Sequence, residues 1–156
     1  MLSLPIPGFK TLALEHLVLD FNGTLAVDGK LLAGVSERLR SLAAHLAIQV
    51  VTADTFGHAR EALEGLPARL TVLEPGRQAQ AKQALVQALG PDRVAAIGNG
   101  RNDRLMLRTA ALGIAVTSLE GTAVEALVAA HLFVPGIHEA LDLLNAPLRL
   151  VATLRD

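Results

Sequence analysis

Two acidic, glycine-containing loops, far apart in the sequence, place the strongest constraint on the fold of this chain. The first is Asp20-Phe21-Asn22-Gly23-Thr24-Leu25, and the second is Ile97-Gly98-Asn99-Gly100-Arg101-Asn102-Asp103. Each loop follows an apolar run typical of a buried strand, Leu17–Leu19 or Val94–Ile97. Because ligands of open parallel sheets bind at the carboxyl ends of the strands, we expect the two loops to meet at one site.

Short apolar runs alternate with helical stretches, which predicts an α/β fold: a doubly wound parallel sheet with helices on both faces. The predicted strands are short and aliphatic: Leu17–Leu19, Ile48–Val51, Leu70–Leu73, Val94–Ile97, Gly113–Val116 and Leu132–Val134. The predicted helices follow a capping residue or end at glycine: one after Ser36, Thr55–Glu64, Gln78–Leu89, Asn102 to Ala111 and Thr122 to Ala130. Asp28-Gly29, between two short apolar runs, predicts a β-hairpin; the alternative is an ordinary turn.

Composition limits the classes of protein to consider. At 156 residues, of which 51% are hydrophobic, we expect a single domain over residues 1–156. The absence of cysteine excludes disulfides and thiolate chemistry. A net charge of −1 and the lack of Trp and Tyr argue against a nucleic-acid partner. We find no signal-peptide pattern and no membrane-spanning run, so we expect a cytoplasmic protein with no membrane partner.

The two loops resemble the first and last motifs, DxDGT and GDGxND, of haloacid dehalogenase (HAD) superfamily phosphohydrolases. Within that superfamily the chain is most similar to the phosphorylation domain of P-type ATPases. The resemblance continues through Leu105-Met106-Leu107, Gly113-Ile114-Ala115-Val116 and Gly121-Thr122-Ala123-Val124-Glu125. It implies a HAD-like domain without a cap domain, in which the Asp28-Gly29 hairpin would be the small flap that follows the first motif beside the active site. The short spacing between Thr24 and Thr52 leaves no room for the ATPases' nucleotide-binding domain, so we do not expect an ion pump.

The resemblance implies a role for the residues of the first and second motifs. Asp20 matches the nucleophile that forms an aspartyl phosphate; the alternative is an aspartate that only caps the loop. Gly23 and Thr24 complete the first motif and are expected at the substrate. Thr52 matches the strand-terminal hydroxyl that hydrogen-bonds phosphoryl oxygens. The two residues after it correspond to the end of the ATPase motif TGD and are also expected at the substrate: Ala53 and Asp54.

Two basic residues complete the expected substrate site. Lys82 matches the family lysine that neutralises the phosphoryl group and the nucleophile. The alternative is a solvated helix lysine, with Arg77 as the cation instead. Arg101, within the second loop, is interpreted either as a ligand of a substrate anion or as a solvated side chain.

A magnesium site is implied by the same resemblance. Its expected ligands are Asp20, the backbone carbonyl of Asn22 and the side chain of Asn99, with Asp103 supporting the ion directly or through water. Oxygen ligands with few carboxylates suit Mg²⁺. Asn99 replaces a family aspartate, so the site has one formal negative charge fewer than usual.

Asn22 is the second departure from the family pattern, because HAD phosphatases have their acid/base aspartate there. Its replacement leaves three functions open. The first is a slow Mg²⁺-dependent phosphohydrolase or phosphotransferase, acting on a phosphorylated small molecule or a phosphoprotein. The second is a non-catalytic phosphate- or partner-binding relative, and the third is a phosphoacceptor that signals to a partner. HAD proteins usually enclose small substrates with a cap or a neighbouring subunit, so members without a cap often act on large substrates or as oligomers. We expect a homo-oligomer.

Overall fold

A computed structural model of the protein describes residues 1–53 and 57–156. Ten strands in the described residues form one six-stranded sheet and two small ribbons: β1 (Leu2–Ile6), β2 (Lys10–Leu14), β3 (His16–Asp20), β4 (Ala26–Val27), β5 (Lys30–Leu31), β6 (Ala47–Thr52), β7 (Ala68–Val72), β8 (Val94–Gly98), β9 (Leu112–Val116) and β10 (Leu132–Val134). The helices are α1 (Val35–Leu42), α2 (His58–Ala62), α3 (Gln78–Leu89), α4 (Arg104–Thr109), α5 (Val124–Ala129), α6 (Ile137–Asn145) and α7 (Leu148–Leu154).

The main sheet has the strand order β10-β9-β8-β3-β6-β7, and every neighbouring pair is parallel. The predicted α/β fold is therefore confirmed. Side chains of β3 alternate between the two faces, as strand geometry requires. Leu17 and Leu19 pack with α1, α6 and α7, whereas Val18 packs with α3, α4 and α5. Burial on both faces explains why the central strands are continuous apolar runs rather than alternating ones.

The predicted helices differ from the structure at their ends, and α6 and α7 were not predicted. Helix α1 begins at Val35 after Gly34, so Ser36 lies inside the helix rather than before it. Asn102 lies in a 3₁₀ turn, Arg101–Asp103, and α4 ends at Thr109. Helix α5 follows Ala123, because the Thr122 hydroxyl donates to the Val116 carbonyl (2.8 Å) instead. Helix α2 is shorter than predicted, and Thr55 lies outside the described residues.

The Asp28-Gly29 hairpin is confirmed. Both residues have positive φ angles, 51° and 74°, as a tight two-residue turn between strands β4 and β5 requires. The N-terminal ribbon of β1 and β2 was not predicted, because Pro5 interrupts its apolar run. Pro5 is tolerated there because each strand of a two-stranded ribbon has a free edge. In the described part of the chain, no helix is both long and apolar enough to cross a membrane.

Candidate active site

The site lies where β3, β6 and β8 end side by side at the carboxyl edge of the sheet. Asp20 ends β3, and Thr52 ends β6, while Asn99 directly follows β8. These three side chains line one cavity of about 260 Å³. The other described residues of its wall are Asn22, Ala53, Gln78, Gly100, Asn102 and Glu120. The two acidic loops of the sequence therefore do meet at one site.

A buried ion triad lies beneath this cavity. The Lys82 ammonium, from α3, is 2.6 Å from Asp20 Oδ1 and 2.6 Å from Asp103 Oδ1. Lys82 and Asp103 are fully buried, and Asp20 is 6% exposed at the cavity. Since a buried charge is costly unless it is paired and hydrogen-bonded, the single lysine makes the two neighbouring carboxylates tolerable. Lys82 is thus no solvated helix residue, whereas Arg77 is exposed.

The pKa values of the triad reflect the competition between burial and charge pairing. Burial and the negative charge of Asp103 raise the pKa of Asp20 to about 7, although the Lys82 ammonium opposes this shift. Burial lowers the pKa of Lys82, but Asp20 and Asp103 outweigh it, and the net pKa is raised. Lys82 therefore stays protonated at neutral pH. A cation that approached Asp20 from the cavity would favour its ionised, nucleophilic form.

Asp103 supports the site from below rather than facing the cavity. One of its oxygens is held by Lys82, and the other accepts hydrogen bonds from the backbone N–H groups of Asn99 (3.1 Å) and Gly100 (2.9 Å). Because protein donors engage both oxygens, the structure disfavours direct metal ligation by Asp103. The contacts of Asp103 hold the second loop and Lys82 in place.

The loop after β3 turns tightly enough to expose its polar groups to the cavity. Three successive amides, from Thr24 to Ala26, donate to the Phe21 carbonyl. Gly23 has φ of +74°, and a methyl group built on it would lie 2.5 Å from Asn99 Nδ2. Only glycine fits both the positive φ and this close approach. Gly23 is therefore a packing residue of the site, with Asn99 directly against it.

The Thr24 hydroxyl joins the two loops. It lies 3.3 Å from Asp20 Oδ2 and 3.2 Å from Asn99 Oδ1, and its single proton can be donated to only one of them at a time. The two oxygens thus converge on the same buried hydroxyl. Thr24 contacts Asp20 from within the protein and is 1% exposed, so it supports the structure of the site rather than facing the open cavity.

The donor set fits a hard cation with few protein ligands. Among the described residues, no group of three or more His, Cys, Asp and Glu side chains could hold a metal. Mg²⁺ does not need one, since it commonly keeps several waters and takes one or two carboxylates. Asp20 and Asn99 offer oxygens at the cavity, and Asn22 lines the same wall. Oxygen donors without any nitrogen or sulfur ligand match Mg²⁺ better than Zn²⁺.

Some predicted site residues lie elsewhere, and some cavity residues were missed. Arg101 does not line the cavity of Asp20; its guanidinium is exposed and lies 3.0 Å from the Glu125 carboxylate. Asp54 lies outside the described residues. The Asp28-Gly29 hairpin packs beside α2, where it forms part of a different cavity with His58. Gln78, Asn102 and Glu120 were not predicted. The loop position after β9, at the same sheet edge, could have indicated Glu120.

Known structures share this architecture. The chain superposes on a HAD superfamily (subfamily III A) hydrolase from Legionella pneumophila with a TM-score of 0.71 and 21% identity, covering 90% of this chain and 88% of that one. Superposition on a HAD family hydrolase from Streptomyces avermitilis gives a TM-score of 0.68 at 20% identity, and it covers 92% of this chain and 87% of that one. A third structure is the 3-deoxy-D-manno-octulosonate 8-phosphate phosphatase of Moraxella catarrhalis in complex with magnesium, phosphate and KDO. Its TM-score is 0.70 at 15% identity, and the superposition covers 91% of this chain and 94% of that one. The fold is therefore that of the HAD hydrolases.

Closer sequence relatives come from Methanocaldococcus jannaschii. The uncharacterized protein MJ0073 is 45% identical over 64 residues, which is 41% of this chain and 69% of that protein. The uncharacterized protein MJ0072 is 49% identical over 39 residues, 25% of this chain and 89% of that protein. No sequence-family profile matches the chain. The chain belongs to the same family as MJ0073.

We expect the buried triad to make Lys82 important for stability. Lys82→Met would leave Asp20 and Asp103 buried without their cation, so the free energy of unfolding should fall by about 3–5 kcal/mol. Urea denaturation measures the change. Lys30→Met, at an exposed lysine of the hairpin, is the control and should have little effect. Equal stability of the two variants would contradict the triad.

Proposed function

We propose that the protein is a slow, Mg²⁺-dependent phosphohydrolase or phosphotransferase that forms an aspartyl phosphate at Asp20. The observation that carries this proposal is the Lys82 ammonium 2.6 Å from both Asp20 and Asp103, directly beneath a cavity lined by Thr52 and Asn22. Phosphoryl transfer requires an aligned nucleophile and positive charge near the phosphoryl oxygens, and little further covalent chemistry. The HAD-like fold and the Mg²⁺ and phosphate named with one structural neighbour support this proposal.

The first step is attack by the Asp20 carboxylate on phosphorus. A new O–P bond forms to Asp20, and the bond to the leaving group breaks, so that the leaving oxygen departs with the electron pair. Lys82 holds the carboxylate in place and offsets its charge. The Thr52 hydroxyl, at the end of β6, is placed to donate to a phosphoryl oxygen in the cavity. Mg²⁺, when bound, would neutralise charge on the phosphoryl oxygens.

The second step is hydrolysis of the aspartyl phosphate by water. Both steps need a proton to be moved, first to the leaving oxygen and then from the attacking water. Asn22 is exposed and lines the cavity but cannot carry out either transfer, because an amide is neither a useful acid nor a useful base. We therefore propose that turnover is slow and that the phosphoenzyme accumulates. The resemblance to the phosphorylation domain of P-type ATPases supports a persistent phosphoenzyme.

The substrate class follows from the size and openness of the cavity. A volume of about 260 Å³ accommodates a phosphoryl group with a small part of its substrate. We propose a phosphorylated small molecule or the phosphorylated side chain of a protein. We also propose a homo-oligomer, in which a second copy limits access to the cavity. Exposed apolar side chains beside the loop that carries Glu120 support this assembly: Leu119, Val124 and Val128.

Assembly is tested by light scattering. We expect a dimer or a larger homo-oligomer, because burial of these apolar side chains against a second copy removes them from water. A monomer at every accessible concentration would exclude the oligomer and leave the chemistry untouched.

The nucleophile is tested by phosphate release with Mg²⁺ and a panel of phosphate esters and acyl phosphates. We expect Asp20→Asn to abolish turnover, since the amide is nearly isosteric but not nucleophilic. Unfolding by urea serves as the control that the variant is folded. Release by Asp20→Asn at the wild-type rate would exclude Asp20 as nucleophile. No release by the wild-type protein would favour the non-catalytic relative, and stable labelling without turnover would favour the phosphoacceptor.

The missing acid/base group predicts a gain of function. Asn22→Asp should speed turnover by roughly 10²–10⁴-fold, the usual value of general acid–base catalysis, and most for sugar phosphates with poor leaving groups. Acyl and aryl phosphates, which leave without a proton, should gain least. kcat/KM, which reports the first step even where hydrolysis of the phosphoenzyme limits kcat, shows this directly when it is measured across leaving groups of different pKa.

Asn102→Asp is the matched control for that gain. It adds the same charge to the same cavity, at a residue whose side-chain amide donates to the Gln78 side chain. An equal acceleration by both variants would mean that charge, and not the position of the acid, is responsible. Unchanged rates for Asn22→Asp would mean that another residue transfers the proton.

A further inference from the structure

A third loop of the same sheet edge brings a carboxylate to the cavity. Residues 117–123 connect β9 to α5 and lie beyond the carboxyl end of β9. Glu120, in this loop, lines the cavity together with Asp20 and Asn99. Its side chain is exposed, and within the described part of the chain it has no hydrogen-bond or ion-pair partner. A carboxylate in this position is free to act on what enters the cavity.

The loop is held against the site by Asn99 itself. Asn99 Nδ2 donates to the Gly121 carbonyl (2.9 Å), and the Asn99 carbonyl accepts from the backbone N–H of Ala123 (2.8 Å). At the other end, the Thr122 hydroxyl donates to the Val116 carbonyl, and the N–H of Glu120 donates to the Ser118 hydroxyl (3.1 Å). Glu120 therefore precedes the very residue whose carbonyl the Asn99 amide binds.

The Glu120 carboxylate reaches the loop of the nucleophile. A methyl group built on Gly23 would lie 2.8 Å from Glu120 Oε2 and 2.5 Å from Asn99 Nδ2. The carboxylate and the Asn99 amide thus flank the same glycine. Asn99 Oδ1 turns the other way, toward the Thr24 hydroxyl that also contacts Asp20. Glu120 accordingly lies against Gly23 on the nitrogen side of the Asn99 amide, within the same cavity as Asp20 and Asn22.

An amide at position 99 has a structural reason as well as a cost in charge. An aspartate there would set a carboxylate oxygen against the Gly121 carbonyl, where two acceptors repel. Asn99 can donate, so it docks the loop, but it brings no charge to the cation. The loop that Asn99 docks carries Glu120, whose carboxylate lines the same cavity. Among the described residues that line the cavity, none is a lysine or arginine that would neutralise it.

We propose that Glu120 supplies the negative charge that Asn99 lacks, and that it holds Mg²⁺ through a water of the ion's shell. The inference rests on the proposed Mg²⁺-dependent function and assigns a further residue to that site. Outer-shell groups of this kind orient the waters of a hydrated ion and raise its affinity. The asparagine and the glutamate are then two parts of one arrangement, in which the amide positions the loop and the loop provides the charge.

The test is the binding of Mg²⁺ alone, measured by isothermal titration calorimetry on the folded protein without substrate. Glu120→Gln keeps the shape of the side chain and removes its charge, so the Kd for Mg²⁺ should rise roughly tenfold, the lower end of the range for outer-shell groups. Glu64→Gln makes the same change at an exposed glutamate that does not line the cavity of Asp20, and it should leave the Kd unchanged. Unfolding by urea checks that both variants are equally folded.

Two outcomes would overturn the role of Glu120. One is an unchanged Kd for Glu120→Gln, and the other is an equal weakening by both variants, which would report only the long-range field. Absence of Mg²⁺ binding by the wild-type protein would also overturn it. Phosphate release by wild-type protein is measured separately, so turnover with an unchanged Kd in Glu120→Gln refutes this inference alone. No turnover refutes the proposed function whatever the Kd.

Discussion

The buried contact of one ammonium with two carboxylates is the interaction on which the rest of the site depends. Lys82 comes from α3, Asp20 from the end of β3 and Asp103 from the loop after β8, so the triad joins three separate elements. Buried ion pairs rarely add net stability over an apolar core of equal volume. The triad therefore serves to fix the Asp20 carboxylate and a positive charge at the floor of the cavity. Asp103 extends this order into the second loop by accepting two of its backbone N–H groups.

Two polar positions around this floor carry amides instead of carboxylates. The two positions at which the resemblance leads one to expect carboxylates are amides, Asn22 and Asn99. At Asn99 the amide has a structural use, since it binds the Gly121 carbonyl and docks the next loop. At Asn22 the side chain lines the cavity without any comparable hydrogen bond among the described residues. The amide at Asn99 therefore has a structural role in the site, whereas the amide at Asn22 has no structural role of this kind among the described residues.

Much of the sheet could be predicted from sequence, because a strand buried on both faces is a run of apolar residues. Leu132–Val134 was predicted at its observed ends, and the acidic loops were placed at the correct edge. The predicted start of a helix was wrong where the expected capping side chain hydrogen-bonds a residue outside the helix, as Thr122 does with Val116. Helix α6 has apolar residues at helical spacing, with Ile137, Leu141 and Leu144 buried, and this pattern could have predicted it from the sequence. Glu120 was missed because an exposed glutamate in a loop has no local signal, and only the folded sheet edge brings it to Asp20.

Transfer of a phosphoryl group to Asp20 is the central claim, and peptide mass mapping tests it most directly. The protein is incubated with Mg²⁺ and acetyl phosphate and quenched in acid, where acyl phosphates persist long enough for digestion and mass analysis. The account predicts one added phosphoryl group on the peptide that contains Asp20, and none on the same peptide of Asp20→Asn. An unmodified Asp20 peptide, or a phosphoryl group on any other residue, would contradict it.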